Sequence, residues 1–265
     1  YYKGFKECLN KNLRRELYPL QELSAFHMAF SQNSCNFAVP GAGKTSIVYG
    51  AYAYLKSLPP TDPKHVDKIM VIGPLSSFAP WENEYEACFE VKPTSFRMSG
   101  NNEVPRESKE LHLYSPNPSE LTLIFHGGVP NFESRIIDFL KKNKTLVVVD
   151  EAHRIKNHEG AWGKSVTEIS KEAKARVILT GTPVPNGYQD IYNLYKFIYP
   201  FKFKEILGVH YHNLEEMTQN SEPESERIQS LKKNLSPYFI RIKKDDLGLP
   251  EIKEALISLE MNKYQ

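Results

Sequence analysis

A succession of short apolar runs, each opening into a polar or glycine-rich loop and then a helical pattern, restricts what this chain can fold into more than any other feature. TLVVVD (145–150) and ARVILTG (175–181) are the clearest, and KIMVIG (68–73), LTLIF (121–125) and NFAV (36–39) share their character. TSFRM (94–98) is a weaker member of the set. The strongest runs lack a period of two, so both faces of such strands must be covered. Fully apolar strands alternating with helices imply a mostly parallel sheet between two helix layers, because a parallel connection has to cross over the sheet. The expected fold class is therefore α/β, a three-layer α/β/α lobe. Ligands of such sheets bind outside the carboxyl ends of the strands, and the unusual residues of this chain fall there.

The first of these is FAVPGAGKT (37–45). A strand, a tight glycine turn and a helix N-terminus form a phosphate cradle, because the first helical N–H groups have no intrahelical partner. Gly41 and Gly43 let the backbone wrap phosphates, Lys44 reaches β and γ oxygens, and Thr45 suits magnesium. Pro40, Ala42 and Ser46 complete the loop and the first helical turn. The usual first glycine of this pattern is Ala38, a position that starts the loop without touching phosphate. Taken alone, the match also fits an ordinary turn before a helix.

LVVVDEAH (146–153) sets Asp150 and Glu151 where a buried strand emerges. One carboxylate there can hold magnesium and its neighbour can polarise water; a helix N-cap is the plainer reading of the same aspartate. His153 alone reads as structural, or as a link from a nucleotide site to another segment. Thr180, Gly181 and Thr182 end the following strand in LTGTP, which by itself is a turn before a helix.

Bulk properties exclude less. A net charge of +2 argues neither for nor against nucleic acid, so local patches must carry that case. Cys8, Cys35 and Cys88 lie far apart with no C-x-x-C pair, which indicates neither a disulfide framework nor zinc and fits reduced thiols in an intracellular protein. No apolar run approaches the roughly 18 residues of a membrane span. A chain that opens on Tyr1 reads as a piece of something longer. Residues 99–119, polar and proline-rich, read as a long surface connection, and 201–235, with its acidic stretch, as a helical insertion. Lys141-Lys142-Asn143-Lys144 reads as an exposed helix end.

AVPGAGKT, IGPLSSFAPWENEYE, DEAHRIKN and LTGTPVPNGYQDIYNLYKFIYP together resemble, in order and spacing, motifs I, Ia, II and III of superfamily 2 helicase-like ATPases. Pro74, Leu75 and Ser76 followed by Trp81 and Glu84, and the Arg-Ile-Lys-Asn extension of the DEAH box, look like its Swi/Snf branch. LYPLQ (17–21) resembles that branch's adenine motif, with Gln21 in the adenine-reading place. LSPYFIRIKKDDLGLPEI resembles the segment entering the brace between lobes; Arg241 stands there, but Ile242 replaces the usual second arginine.

The resemblance implies a RecA-like P-loop lobe over 1–200, a helical insertion over 201–235 and a brace over 236–265 leading to a second RecA-like lobe. It implies ATP and Mg2+ as cofactors, with Lys44, Asp150 and Glu151 catalytic and Thr45 and Asp150 on the metal. His153, Thr180, Gly181 and Thr182 would couple the site to nucleic acid. Ser76, Ser77, the loop at His126 and Gly127, and Arg154, Lys156 and Asn157 would face double-stranded DNA through sequence-independent backbone contacts, although Arg154 and Lys156 equally fit a solvated charge run. Such a chain would translocate on DNA inside the cell, in cytoplasm, nucleoid or nucleus. A strand-separating DNA or RNA helicase of another superfamily 2 branch is the alternative, and a non-motor P-loop switch is a third reading.

Overall fold

The computed structural model describes residues 1–98, 104–220, 222 and 225–248. Two helices, α1 (Tyr2–Asn12) and α2 (Pro19–Ser31), precede strand β1 (Asn33–Ala38) and helix α3 (Lys44–Ser57). Then come β2 (Lys68–Gly73), α4 (Phe78–Phe89), β3 (Ser95–Met98), α5 (Arg106–Tyr114), β4 (Leu121–Phe125) and α6 (Val129–Lys142). The apolar runs of the DEAH and LTGTP segments form β5 (Thr145–Val149) and β6 (Ala175–Leu179), separated by α7 (Ala161–Ser170). After them lie α8 (Asp190–Ile198), α9 (Phe203–Leu207), α10 (Tyr211–Asn220), α11 (Glu226–Leu235) and β7 (Phe239–Ile242).

The strands form one seven-stranded sheet in the order β3-β4-β2-β5-β6-β1-β7. All its pairings are parallel. β5 is buried along its whole length, as a strand without polar alternation requires. Each fully buried valine or leucine there contributes about 1.5–3 kcal/mol. One apolar cluster gathers α1 to α4 on one face, around Ile47, Tyr49, Tyr52 and Trp81. The other gathers α5 to α8 on the opposite face, around Ile136, Phe139, Ile169 and Leu194. This is the three-layer α/β arrangement expected of the sequence.

Two segments add detail to their expected character. The 99–119 connection contains α5, whose His112 and Leu113 are buried, with the His112 ring stacked on Phe96 at 4.2 Å; residues 99–103 lie outside the described residues. The described residues of 201–235 carry α9, α10 and α11. Leu207, Leu214, Met217, Ile228 and Leu231 join the same apolar cluster as the sheet.

The stretch after residue 235 returns to the sheet. β7 pairs with β1 from Cys35 opposite Phe239 to Ala38 opposite Ile242, and so lies beside the start of the phosphate loop. The remainder of the expected brace, from 249 onward, lies outside the described residues. Among the described residues no helix is long and apolar enough to cross a membrane.

Candidate nucleotide and nucleic-acid site

The phosphate loop is held at both ends. Where β1 stops, Val39 N donates to Ile242 O at 3.1 Å. Gly41 and Gly43 then adopt φ of +85° and +76°, the left-handed region that side chains disfavour. At Gly43 there is a second reason for glycine, since a Cβ there would lie 2.2 Å from Gln21 Nε2. α3 follows at once, buried on nearly all sides from Ser46 to Leu55, so its N-terminus is fixed by the core. Lys44 Nζ donates to Ala38 O at 3.2 Å, folded back across the loop.

Gln21 approaches the loop from α2. Its Oε1 accepts from Tyr18 N at 3.1 Å and its Nε2 donates to Ala42 O at 3.1 Å. Beside it opens a groove of about 500 Å³, lined by Tyr18, Leu20, Gln21, Gly41, Ile242 and Leu247 among others. A largely apolar groove against a glutamine amide is suited to a planar base with hydrogen-bonding edges.

Asp150 follows β5, its N bonded to Ile72 O at 2.8 Å. Its Oδ1 accepts from Glu151 N at 3.0 Å, and its Oδ2 accepts from the indole Nε1 of Trp81 at 3.1 Å. Burial pushes this carboxyl above the usual carboxylate range, opposed by the Trp81 hydrogen bond and by the Lys44 cation, among others. Glu151 has φ 49° and ψ 49°, an uncommon left-handed position for a residue with a side chain. His153 Nδ1 stands 3.4 Å from its carboxylate, without hydrogen-bond geometry. Asp150 and Thr45 offer hard oxygen donors. No group of three or more His, Cys, Asp or Glu among the described residues could hold a metal ion. A cation here would need phosphate oxygens and water for most of its shell, which is how Mg2+ is ordinarily bound.

Between these halves runs β6, the neighbour of both β5 and β1. Thr180 is fully buried, and its N donates to Asn36 O at 3.2 Å. Thr182 N in turn donates to Thr180 Oγ1 at 3.2 Å. A Cβ on Gly181 would lie 3.3 Å from Pro40 Cδ. The LTGTP turn therefore packs on the first residues of the phosphate loop.

The residues assigned to nucleic acid share the carboxyl edge of β4, β2 and β5, but they are not equivalent. Ser76 and Ser77 sit in a 3₁₀ turn (Leu75–Ser77) after β2, with Ser76 exposed and Ser77 Oγ donating to Pro74 O at 2.8 Å. His126 is only 2% exposed. Its Nε2 lies 2.8 Å from Asp150 O and its ring stacks on Trp162; burial holds its pKa down to about 4. A neutral, buried ring spent on a carbonyl presents no cation to phosphate, so His126 belongs to the interior of the site and not to its surface. Of the RIKN run, Arg154 is exposed. Lys156 Nζ lies 3.7 Å from Asp190 Oδ2, and Asn157 Oδ1 accepts from Glu159 N and Gly160 N at 3.0 and 3.2 Å. The last two residues shape the loop that carries Arg154. The partners Asp190 and Trp162 carry no local signature, because each meets the site only through the packing of α8 or α7.

The profile of the SNF2-related domain matches residues 31–265. Among curated proteins, the chain is 30% identical over 236 residues to the "ISWI chromatin-remodeling complex ATPase CHR17" of Arabidopsis thaliana, covering 85% of this chain and 20% of that protein. It is 27% identical over 272 residues to human "Chromodomain-helicase-DNA-binding protein 6", covering 98% of this chain and 9% of that protein. The chain thus spans a small part of the length of these relatives. The "SWI2/SNF2 ATPase core in complex with dsDNA" of Sulfolobus solfataricus superposes with a TM-score of 0.67 at 23% identity, over 90% of this chain and 47% of that one. This last likeness is one of fold.

Proposed function

The chain belongs to the SNF2-related domain family, and from that membership we propose that it is the ATP-binding lobe of a DNA-dependent ATPase that translocates on double-stranded DNA. The observation that carries the reading is the packing of Gly181 on Pro40, on a strand that lies between the phosphate loop and Asp150. Phosphate loop, carboxylates and the LTGTP turn are there one contiguous unit, as a hydrolase coupled to a moving partner requires.

In this reading the base lies in the groove against Gln21, and the phosphates lie on Pro40 to Ser46. Lys44 leaves Ala38 O for the γ-phosphate. Thr45 and Asp150 would hold Mg2+, which when bound neutralises phosphate charge. Glu151 accepts a proton from the water whose oxygen attacks the γ-phosphorus while the bond to the ADP oxygen breaks. The transition-state arginine is assigned to a second RecA-like lobe. Ser76, Ser77, Gly127 and Arg154 contact DNA phosphates without reading bases. The chromatin-remodelling and DNA-binding names of the relatives support DNA as the partner and an intracellular setting.

The test uses the full-length protein. ATP hydrolysis should rise on adding double-stranded DNA. Lys44→Ala should lose nucleotide binding, and Glu151→Gln should keep binding and lose turnover. A triplex-displacement assay should report movement along duplex DNA; strand separation without triplex displacement would instead select a helicase of another branch. Nucleotide binding with no response to nucleic acid would refute the motor reading.

A further inference from the structure

Helix α4 touches both halves of this site through two side chains one turn apart. Trp81 is 1% exposed and donates its indole N–H to Asp150 Oδ2 at 3.1 Å. Its carbonyl accepts from Tyr49 Oη at 2.7 Å, and the Trp81 and Tyr49 rings meet edge to face at 5.4 Å. Tyr49 belongs to α3, the helix that opens on Lys44 and Thr45. Three positions after Trp81, and so on the same side of α4, Glu84 accepts a hydrogen bond from Ser46 Oγ in the first turn of α3. Arg15 holds Glu84 from the other side, with Nη1 2.8 and 2.9 Å from its two oxygens.

Phe78, Tyr85 and Cys88 bury the apolar face of α4. The polar contacts of Trp81 and Glu84 add to this packing by holding groups of the site. With Oδ1 tied to Glu151 N and Oδ2 to the indole, both oxygens of Asp150 are fixed in direction. With Ser46 tied to Glu84, the first turn of α3 is fixed relative to the same helix.

We propose that Trp81 and Glu84 are positioning residues, Trp81 for the Asp150 carboxylate and Glu84 for the phosphate loop, so that α4 sets the separation between the two. The assignment rests on the nucleotide reading of the preceding section. It also ties the nucleotide site to the nucleic-acid edge, because α4 starts directly after Ser76 and Ser77. A Cβ on Gly73 would meet Ser77 Oγ at 2.8 Å and Asp150 Cβ at 3.4 Å, so Ser77 and Asp150 flank the space that this glycine leaves open.

The experiment takes the full-length protein and mant-ADP, with Kd measured in EDTA and then across a Mg2+ titration. Trp81→Phe keeps an aromatic ring and removes the N–H. It should raise the half-saturating Mg2+ concentration by about tenfold or more, the range for losing a group that orients a metal ligand, and leave the Kd in EDTA unchanged. Glu84→Gln keeps the size and the acceptor and removes the charge. It should weaken the Kd in EDTA roughly fivefold, the difference between a charged and a neutral hydrogen bond, and leave the Mg2+ midpoint unchanged. Glu84→Gln, at a partly exposed side chain, stands as an independent test if Trp81→Phe does not fold. An unchanged Mg2+ midpoint in Trp81→Phe, or an unchanged Kd in Glu84→Gln, overturns the assignment of that residue; both variants shifting both quantities alike reduces α4 to a folding element. Wild-type protein that fails to bind mant-ADP refutes the nucleotide reading itself, which is a different result.

Discussion

Gly163, in the first turn of α7, is the position where a single methyl group should do most damage to the loop after the DEAH box. A Cβ there would lie 2.1 Å from Asn157 O, 2.8 Å from Asn193 Nδ2 and 3.0 Å from Ile155 O. Two of these three neighbours are backbone carbonyls, which cannot swing aside as a side chain can. The third is the amide of Asn193, fully buried, whose Nδ2 donates to Ile155 O. Its Oδ1 has no partner among the described residues, so losing the Ile155 contact would leave the whole amide unsatisfied. Overpacking costs about 1–3 kcal/mol, and orphaning a buried amide costs about 1–3 kcal/mol more. Gly163→Ala should therefore lose about 2–6 kcal/mol, a large share of the roughly 5–15 kcal/mol that holds a domain together. Gly160 is the control, three residues earlier at the N-cap of the same helix. It has φ −68° and ψ 147°, which alanine adopts freely, and its nearest neighbours to a Cβ lie at 3.4 Å. Gly160→Ala should be close to neutral. Urea denaturation of both variants decides the matter, and a Gly163→Ala midpoint equal to that of Gly160→Ala would refute the reasoning.

Arg154 and Lys156 should respond differently to removal. Arg154→Ala should weaken duplex DNA binding and lower the slope of log K against log salt by about one phosphate contact without changing stability. Lys156→Ala should destabilise the fold by about 1–2 kcal/mol, because it leaves the buried Asp190 carboxylate without its cation; equal effects on DNA affinity and no effect on melting would contradict this. His112 supplies a pH dependence. Burial, with the Lys68 charge adding to it, lowers its pKa to about 4, so between the ordinary histidine pKa of about 6.5 and that value the unfolded chain binds the proton and the folded one does not. Stability should fall as pH drops through that window, by on the order of 2 kcal/mol after allowing for solvent screening of the ring. His112→Gln should flatten that acid limb, and an unchanged pH profile in the variant would assign the loss to other groups.

What could be read from the chain, and what could not, follows from where the determining contacts lie. β5 and β6 announce themselves because a strand buried on both faces must be apolar at every position, and TLVVV and ARVIL are nearly that. The phosphate loop announces itself because left-handed backbone at Gly41 and Gly43 needs glycine locally. β7 gives no such signal: FIRI is short, and it becomes a strand only because β1 offers it an edge. The same division runs through the site. Asp150, Lys44, Trp81 and Glu84 all stand in local motifs, but their pairing, Trp81 with Asp150 and Glu84 with Ser46, like that of Asp190 with Lys156, is fixed by helix packing across long sequence separations. His126 makes the point in reverse. Its place in a loop at the open sheet edge suggests an exposed cation, but a wall of Phe125 and Trp162 around the following glycines closes over that loop and leaves the ring to the Asp150 carbonyl. A residue's chemistry at such an edge is set by which helix covers it, and α7 covers this one.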